Sequence, residues 1–281
     1  MPLVLRMRAW AVLPILAAAY LASPAAVQAE TLTIGGTGAA LGTMRALAER
    51  FVEQNPEARI DVLPSLGSGG GIRALLGGDL NIALSARPLK KTEREVGASE
   101  LAYAQTPFVL VTSRRNVEAG LTRADLLEIY AGERISWPDA TPIRLILRPE
   151  SDTDWRILIA HMPGLADSLA RSKHRRRLPV AYTEQETMGL AEKLAGSLAT
   201  ASLSAVIAED RSLQPLVLDG VAPTVDNLSN GSYPLSKTFY AVVPNDPDQL
   251  TKRFIRFLAS AEGARLLRRH GSLPLALPEG S

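Results

Sequence analysis

The segment Gly67-Ser68-Gly69-Gly70-Gly71 places one hydroxyl inside a run of backbone that carries no side chains. The pattern predicts a strand over Ile60–Leu63 before it and a helix over Ile72–Leu76 after it. Glycine lets a ligand approach the main chain, and a helix start leaves N–H groups without intrahelical partners. Those donors, with the positive end of the helix dipole, favour an anion. A nucleotide P-loop would end in Lys-Ser/Thr, whereas Ile72-Arg73 follow these glycines. Two readings stand for the segment by itself: a flexible glycine turn, or a cradle for an anion.

Two further segments put donors at a strand end or helix start. Gly35-Gly36-Thr37-Gly38-Ala39-Ala40-Leu41-Gly42 follows the first strand, with Thr37 as its hydroxyl. Arg148-Pro149-Glu150-Ser151-Asp152-Thr153-Asp154-Trp155 follows a strand over Ile143–Leu147. Arg148 can form a charge-assisted pair with an oxyanion while Ser151 and Thr153 donate hydroxyls. Open α/β sheets bind ligands at the carboxyl ends of their strands. One exposed helix end contributes only ~0.3–1 kcal/mol, so several must converge in a dry cleft. Each segment also has a purely structural reading. Ser151-x-x-Asp154 is an acceptable capping box, Asp152 and Asp154 suit a helix start with no ligand, and Thr37 suits a tight turn. Arg87 precedes Pro88 and is pushed toward an extended conformation, which aims it either into a cleft or at solvent.

Catalysis finds little support. The three histidines, His161, His174 and His270, lack metal-ligand spacing, and no Gly-x-Ser-x-Gly elbow is present. Gly36-x-Gly38 after a strand is a weak dinucleotide match: the third glycine is displaced to Gly42, and Pro64-Ser65 stand where a ribose would need an acid. No cofactor is implied.

The elements that must hold these residues alternate. Strand Thr31–Ile34, helix Leu41–Gln54, strand Ile60–Leu63, the glycine segment with its helix, and strand Asn81–Leu84 make a βαβαβ pattern with a parallel sheet. A buried-type strand over Phe108–Thr112 exits into the polar joint Ser113-Arg114-Arg115-Asn116. A second alternating region has helix Arg123–Tyr130, strand Ile143–Leu147 and a helix from about Thr153. Leu203–Ile207, Leu216–Leu218 and Thr238–Val243 read as strands, and Phe254–Leu258 and Ala261–Arg269 as closing helices. Two α/β units joined by short strands predict two lobes with a cleft between them. His174-Arg175-Arg176-Arg177 reads as a solvated surface run.

At 281 residues the chain can form one large or two ordinary domains. Arg6 and Arg8, the apolar run Ala9–Leu21 and Ala26-Val27-Gln28-Ala29 form a secretory signal pattern, too short for a membrane span. The mature chain is expected to begin near Glu30 and not to be membrane-inserted. Removing residues 1–29 takes away two arginines and no acids, so the formal charge of +2 falls to about zero. Nucleic acid is therefore not implied as a partner. With no cysteine there is no disulfide and no acylated anchor, and the periplasm is the expected compartment.

From Thr31 to Leu275 the chain resembles the phosphate-binding proteins of bacterial phosphate ABC transporters, within the type 2 periplasmic binding proteins. The resemblance is carried by Leu66-Gly67-Ser68-Gly69-Gly70-Gly71-Ile72, by the stretch from Leu121 through Tyr130-Ala131-Gly132, and by Asp219-Gly220-Val221-Ala222-Pro223-Thr224. Asn230-Gly231-Ser232-Tyr233-Pro234-Leu235-Ser236-Lys237 and the ending from Phe254 to Gly263 are also similar to the family. It implies lobe 1 from residues 30–112 with 236–281 and lobe 2 from 113–235, with hinge strands near Val111–Ser113 and Lys237–Tyr240. It further implies a monomer that captures a tetrahedral oxyanion, phosphate above others, and delivers it to permease subunits without catalysis. A sensor or accessory binding protein on the same fold is the alternative.

The family site maps onto Ser68 and the Gly69 backbone in the glycine segment, and onto Arg148 with Ser151-Asp152-Thr153 in place of Ser-Gly-Thr. Its first-lobe threonine and following backbone donor fall on Ala40 and Leu41. The aspartate that accepts a phosphate proton in some members falls on Ala86, and Arg87 beside it resembles the Ser-Arg-Pro variant of others. Sulfate has no proton to give at neutral pH, whereas hydrogen phosphate has one, so a buried acceptor separates the two. Asp152 is the residue expected to take over that acceptor role; the alternative is that its charge repels the anion and the chain takes another ligand or none.

Overall fold

The computed structural model describes residues 30–113, 120–172 and 177–276. The signal pattern of 1–29, most of the polar joint after Ser113 and positions 174–176 of the charge run lie outside the described residues. The first unit runs β1 (Glu30–Gly36), α1 (Gly38–Gln54), β2 (Ala58–Ser65), α2 (Gly67–Leu76), β3 (Ile82–Ser85) and α3 (Lys91–Glu95). β1 pairs parallel with both β2 and β3, so the three strands end on the same side of the sheet. Those ends carry Thr37, Leu66–Gly67 and Ala86–Arg87. α1 forms because Leu41, Met44, Ala48 and Phe51 recur at helical spacing and bury one stripe against the sheet.

β4 (Ala98–Thr112) is the spine of the molecule. Its first part pairs antiparallel with β8 (Ser236–Pro244), and Phe108–Val111 pairs antiparallel with β6 (Ser197–Ser202). The sheet order is β2-β1-β3-β8-β4-β6-β5, where β5 is Arg144–Leu145; β7 (Gln214–Pro215) and β9 (Leu273–Pro274) also pair with β4. Helices α4 (Arg123–Ala131), α5 (Thr153–His161), α6 (Leu165–Arg171), α7 (Glu184–Lys193), α8 (Leu203–Ala208) and α9 (Val225–Ser229) surround the second part. Helices α10 (Gln249–Ala259) and α11 (Ala261–Arg269) return to the first.

Two sets of core residues lie on either side of the β4 crossing. Leu32, Ile34, Met44, Phe51, Phe239 and Phe254 share one cluster; Phe108, Leu126, Tyr130, Leu158, Leu198 and Tyr233 share another. Among the described residues no helix is long and apolar enough to cross a membrane.

Three expectations need correction. Leu216–Leu218 is not a strand: the short strand β7 is Gln214–Pro215 just before it, and Leu218 makes isolated bridges with Leu121 and Val221. Leu203–Ile207 is not a strand but helix α8, and the strand is Ser197–Ser202 just before it. Ser-Leu-Ala-Thr-Ala-Ser is entirely buried yet carries few large apolar side chains, so its hydrophobic signal is weaker than that of the helix that follows. The glycine segment is likewise not a loop before a helix. α2 begins at Gly67, so the glycines form its first turns. Gly67 has φ +67°, a conformation costly for residues with a Cβ. A Cβ on Gly71 would lie 2.6 Å from the Gly36 Cα, so glycine there lets α2 pack directly on β1.

Candidate functional site

A cleft of about 620 Å³ opens where the parallel strand ends of the first unit face α5 and α7 of the second. Thr37, Ser68, Gly69 and Arg87 line it from one side, and Arg148, Ser151, Asp152 and Thr153 from the other. Ala40 and Leu41 do not line it. Each is 1% exposed within the core of the first unit, a correction to their expected place beside a ligand. The reason lies in how α1 docks. The Gly38 carbonyl accepts a hydrogen bond from Gln185 Nε2 at 2.9 Å, and the Ala39 carbonyl packs 3.3 Å from Ser202 Oγ. The first turn of α1 is thereby held against α7 and β6.

Ser68 sits in the first turn of α2, and its Oγ accepts the Ala86 N–H at 3.0 Å. A hydroxyl has one proton and two lone pairs, so this contact orients the oxygen and leaves the O–H to donate. Ala86 thus serves the site through its backbone, although it has no acid to offer. Thr37 is the N-cap of α1 but makes no side-chain capping bond, and its residue is 8% exposed at the cleft wall. Arg87 is engaged elsewhere: its Nη1 and Nη2 donate to the two oxygens of Glu93 at 2.8 and 2.7 Å. That pairing, foremost its hydrogen bonds, holds the Glu93 carboxyl down at about 2.

Across the cleft, Arg148 Nη1 donates to the Ala181 carbonyl at 2.9 Å and to Thr187 Oγ1 at 3.3 Å, while Nη2 donates to Asp152 Oδ2 at 2.6 Å. Arg148 Nε is buried without a hydrogen-bond partner. A guanidinium has five N–H donors, so donors remain for a ligand after these three bonds. Asp152 caps α5: its Oδ1 accepts the Asp154 N–H at 2.9 Å. Ser151 therefore does not cap a box with Asp154. Asp154 instead turns inward, 3% exposed. Ser151 remains exposed at the cleft, and Thr153 Oγ1 accepts from Arg156 Nη2 at 3.1 Å.

Beneath these groups lies a buried ionic network absent from the sequence-based candidates. Lys237 Nζ lies 2.7 Å from Asp154 Oδ1 and 3.0 Å from Glu184 Oε2, and sits 5.4 Å from the centre of the Phe108 ring. Thr200 Oγ1 donates to Asp154, and the Ser202 N–H and hydroxyl donate to Glu184. Burial opposes the charge on Lys237, but Asp154 and Glu184 outweigh it and push the pKa up. Burial likewise opposes the charge on Asp154, yet Lys237 and Arg148 hold its pKa below the ordinary value. Asp152 goes the other way, raised by burial and then by the neighbouring Asp154 charge. A carboxylate made more basic is a stronger acceptor for a ligand proton. One signal for the network was present in the sequence: Lys237 stands near the start of a strand whose second half, Ala241–Val243, is apolar. Nothing local, however, says which acids meet it.

Among the described residues no group of three or more His, Cys, Asp or Glu is placed to hold a metal. His161 is exposed with Nδ1 2.9 Å from the Ile157 carbonyl, burial lowers the His270 pKa, and neither lines the cleft. His174 lies outside the described residues.

The fold and the interlobe cleft define a two-lobed binding protein, and the chain belongs to the PBP superfamily, whose domain matches residues 22–262. Its relatives narrow the group further. Phosphate-binding protein PstS of Bacillus subtilis (strain 168) is 25% identical over 239 residues, covering 83% of this chain and 76% of the relative. Phosphate-binding protein PstS of Borreliella burgdorferi is 24% identical over 252 residues, covering 87% of this chain and 90% of the relative. A crystal structure from Clostridium perfringens, of a candidate phosphate ABC transporter substrate-binding protein with bound phosphate, has a TM-score of 0.74 at 24% identity, covering 88% of this chain and 100% of that one. The shared architecture is the type 2 periplasmic binding protein fold. These relatives are binding proteins rather than enzymes.

Proposed function

We propose that this protein is an exported solute-binding protein that captures phosphate between its lobes and delivers it to the permease subunits of an ABC transporter. One observation carries the reading: a single cleft brings Ser68 and the first turn of α2 opposite Arg148, Ser151 and Thr153, although some 80 positions separate the two sets. A helix start, oriented hydroxyls and an arginine with unfilled donors form a receptor for a tetrahedral oxyanion. Membership of the superfamily and the two PstS relatives support phosphate as that anion.

In this reading residues 30–112 with 236–281 form lobe 1 and 113–235 form lobe 2, and residues 1–29 direct export to the periplasm. Ser68 Oγ, the Gly69 N–H and Arg148 hold the anion, joined by Thr37, Ser151 and Thr153. Asp152 accepts the ligand proton, because its raised pKa and its place on Arg148 put a basic oxygen beside the anion. Arg87 acts through Glu93 on the shape of the wall. The Ala40 and Leu41 side chains support α1 from within the core.

A thermal-shift panel of phosphate, arsenate, sulfate and molybdate tests this function. An anion at 100 times its dissociation constant stabilises the protein by about 2.7 kcal/mol. Phosphate and arsenate are expected to raise the melting temperature, and sulfate not to. A chain unmoved by all four anions would instead be a sensor or accessory protein with another ligand.

A further inference from the structure

The cleft divides into two electrostatic zones. On its floor Arg148 and Lys237 meet Asp152, Asp154 and Glu184, two cations against three carboxylates. At its opening stand Arg73, Lys90 and Arg156, all exposed, and no ion pair joins any of them to a carboxylate among the described residues. Arg156 makes its hydrogen bond to a neutral hydroxyl, that of Thr153. Arg87, the remaining cation of the lining, is neutralised by Glu93.

Arg73 is the best placed of the three. Its side chain folds back along α2, so its Nη1 and Nη2 lie 3.5 and 4.0 Å from where a Cβ on Gly69 and Gly70 would stand. A positive group therefore stands over the same helix turn that presents Ser68. Cations that only steer an anion act over a Debye length of roughly 8 Å and need no fixed place. Arg73 has one. On the floor Arg148 Nε is buried 4.0 Å from Asp154 Oδ2, while Nη2 bonds Asp152 and has a second N–H to give, which marks a separate anion position.

We propose that the cleft takes anions with two charged groups: a phosphoryl group on the floor between Ser68 and Arg148, and a second anionic group at the rim held by Arg73 with Lys90 and Arg156. The inference rests on the oxyanion reading of the floor and deepens it. Condensed phosphates and phosphorylated carboxylic acids share this chemistry, and they differ only in whether the second group is a phosphate or a carboxylate.

Isothermal titration calorimetry on the purified chain, freed of co-purified anions, separates the outcomes with three probes: orthophosphate, pyrophosphate and phosphoglycolate. At least one two-headed probe is expected to bind tenfold or more tighter than orthophosphate. Arg73→Gln is expected to cut that preference at least fivefold, and the Lys90→Gln/Arg156→Gln pair to cut it further. All three residues are exposed, so circular dichroism should show folded variants. Preference for pyrophosphate alone assigns condensed phosphates, and preference for phosphoglycolate alone assigns phosphorylated carboxylates. A preference under tenfold, or one that survives both sets of substitutions, overturns the inference and leaves the orthophosphate reading standing. Failure of all three probes to bind overturns both.

Discussion

In the proposed site Ser68 is the side-chain donor of the first unit. With its oxygen holding the Ala86 N–H, the proton has the cleft as its remaining direction. Ser68→Ala removes a hydrogen bond to a charged ligand, worth about 1.5–3 kcal/mol, so phosphate affinity should fall roughly 10- to 150-fold in a calorimetric titration. An unchanged affinity would remove Ser68 from the site. Asp152→Asn tests discrimination without losing the helix cap, because asparagine caps as well as aspartate does. The amide can donate to sulfate, so the ratio of phosphate to sulfate affinity should drop tenfold or more; a ratio equal to the parent's would show that another group reads the proton. At this scale the sequence revealed residues that advertise themselves by type and neighbours, such as Ser68 among glycines and Arg148 before a hydroxyl cluster. It concealed Lys237, Asp154 and Glu184, because their meeting depends on chain crossings that no local spacing encodes.

Among the elements, α2 carries the clearest physical demand. Gly71 is where α2 lies on β1, and a methyl group there would collide with backbone rather than with a movable side chain. Gly71→Ala should destabilise the fold by about 1–3 kcal/mol in urea unfolding and weaken phosphate binding, since displacing α2 moves Ser68. A Gly70→Ala control, where the nearest side-chain atom is Leu66 Cβ at 3.2 Å, should cost less. Equal losses in the two variants would refute the close-packing argument. Strands β1, β3 and β8 were legible because buried apolar runs bounded by turn residues identify them. The helix at Leu203–Ala208 was not, because a short apolar run has no clear period and tertiary contacts decide its conformation. The glycine turns of α2 escaped for a similar reason: glycine disfavours helix, and packing on β1 overrides that preference.

Over the whole molecule, the Lys237 network ties the crossing strand β8 to α5 and α7. Lys237 is 2% exposed between two carboxylates, so Lys237→Met leaves buried charges uncompensated and should cost about 3–5 kcal/mol in denaturant unfolding. A loss below 1 kcal/mol would mean that the acids find other partners. The same groups set the pH profile. The lowered Asp154 pKa means that its stabilisation is present above the ordinary carboxylate value and lost as pH falls through the depressed one. The raised Lys237 pKa gives stabilisation that is present below the ordinary lysine value and lost as pH climbs through the elevated one. Melting temperature should therefore hold a plateau between about pH 4 and 10. Asp152, with its raised pKa, tilts the acid side of that plateau downward, because its contribution is greatest while it is protonated and declines as pH climbs from about 4 through its elevated pKa. The parent should therefore lose melting temperature between pH 4 and 7 and Asp152→Asn should lose less; an equal or larger loss in the variant would contradict the assigned direction.

The central claim is that the cleft between Ser68 and Arg148 is a phosphate receptor. Calorimetric titration of the anion-free chain with orthophosphate tests it most directly, compared with Arg148→Gln under the same conditions. The expected result is one saturable site per chain, weakened at least a hundredfold by the substitution, since a buried charge-assisted pair with the ligand is lost. Absence of saturable binding to the parent, or equal binding by the variant, would contradict it.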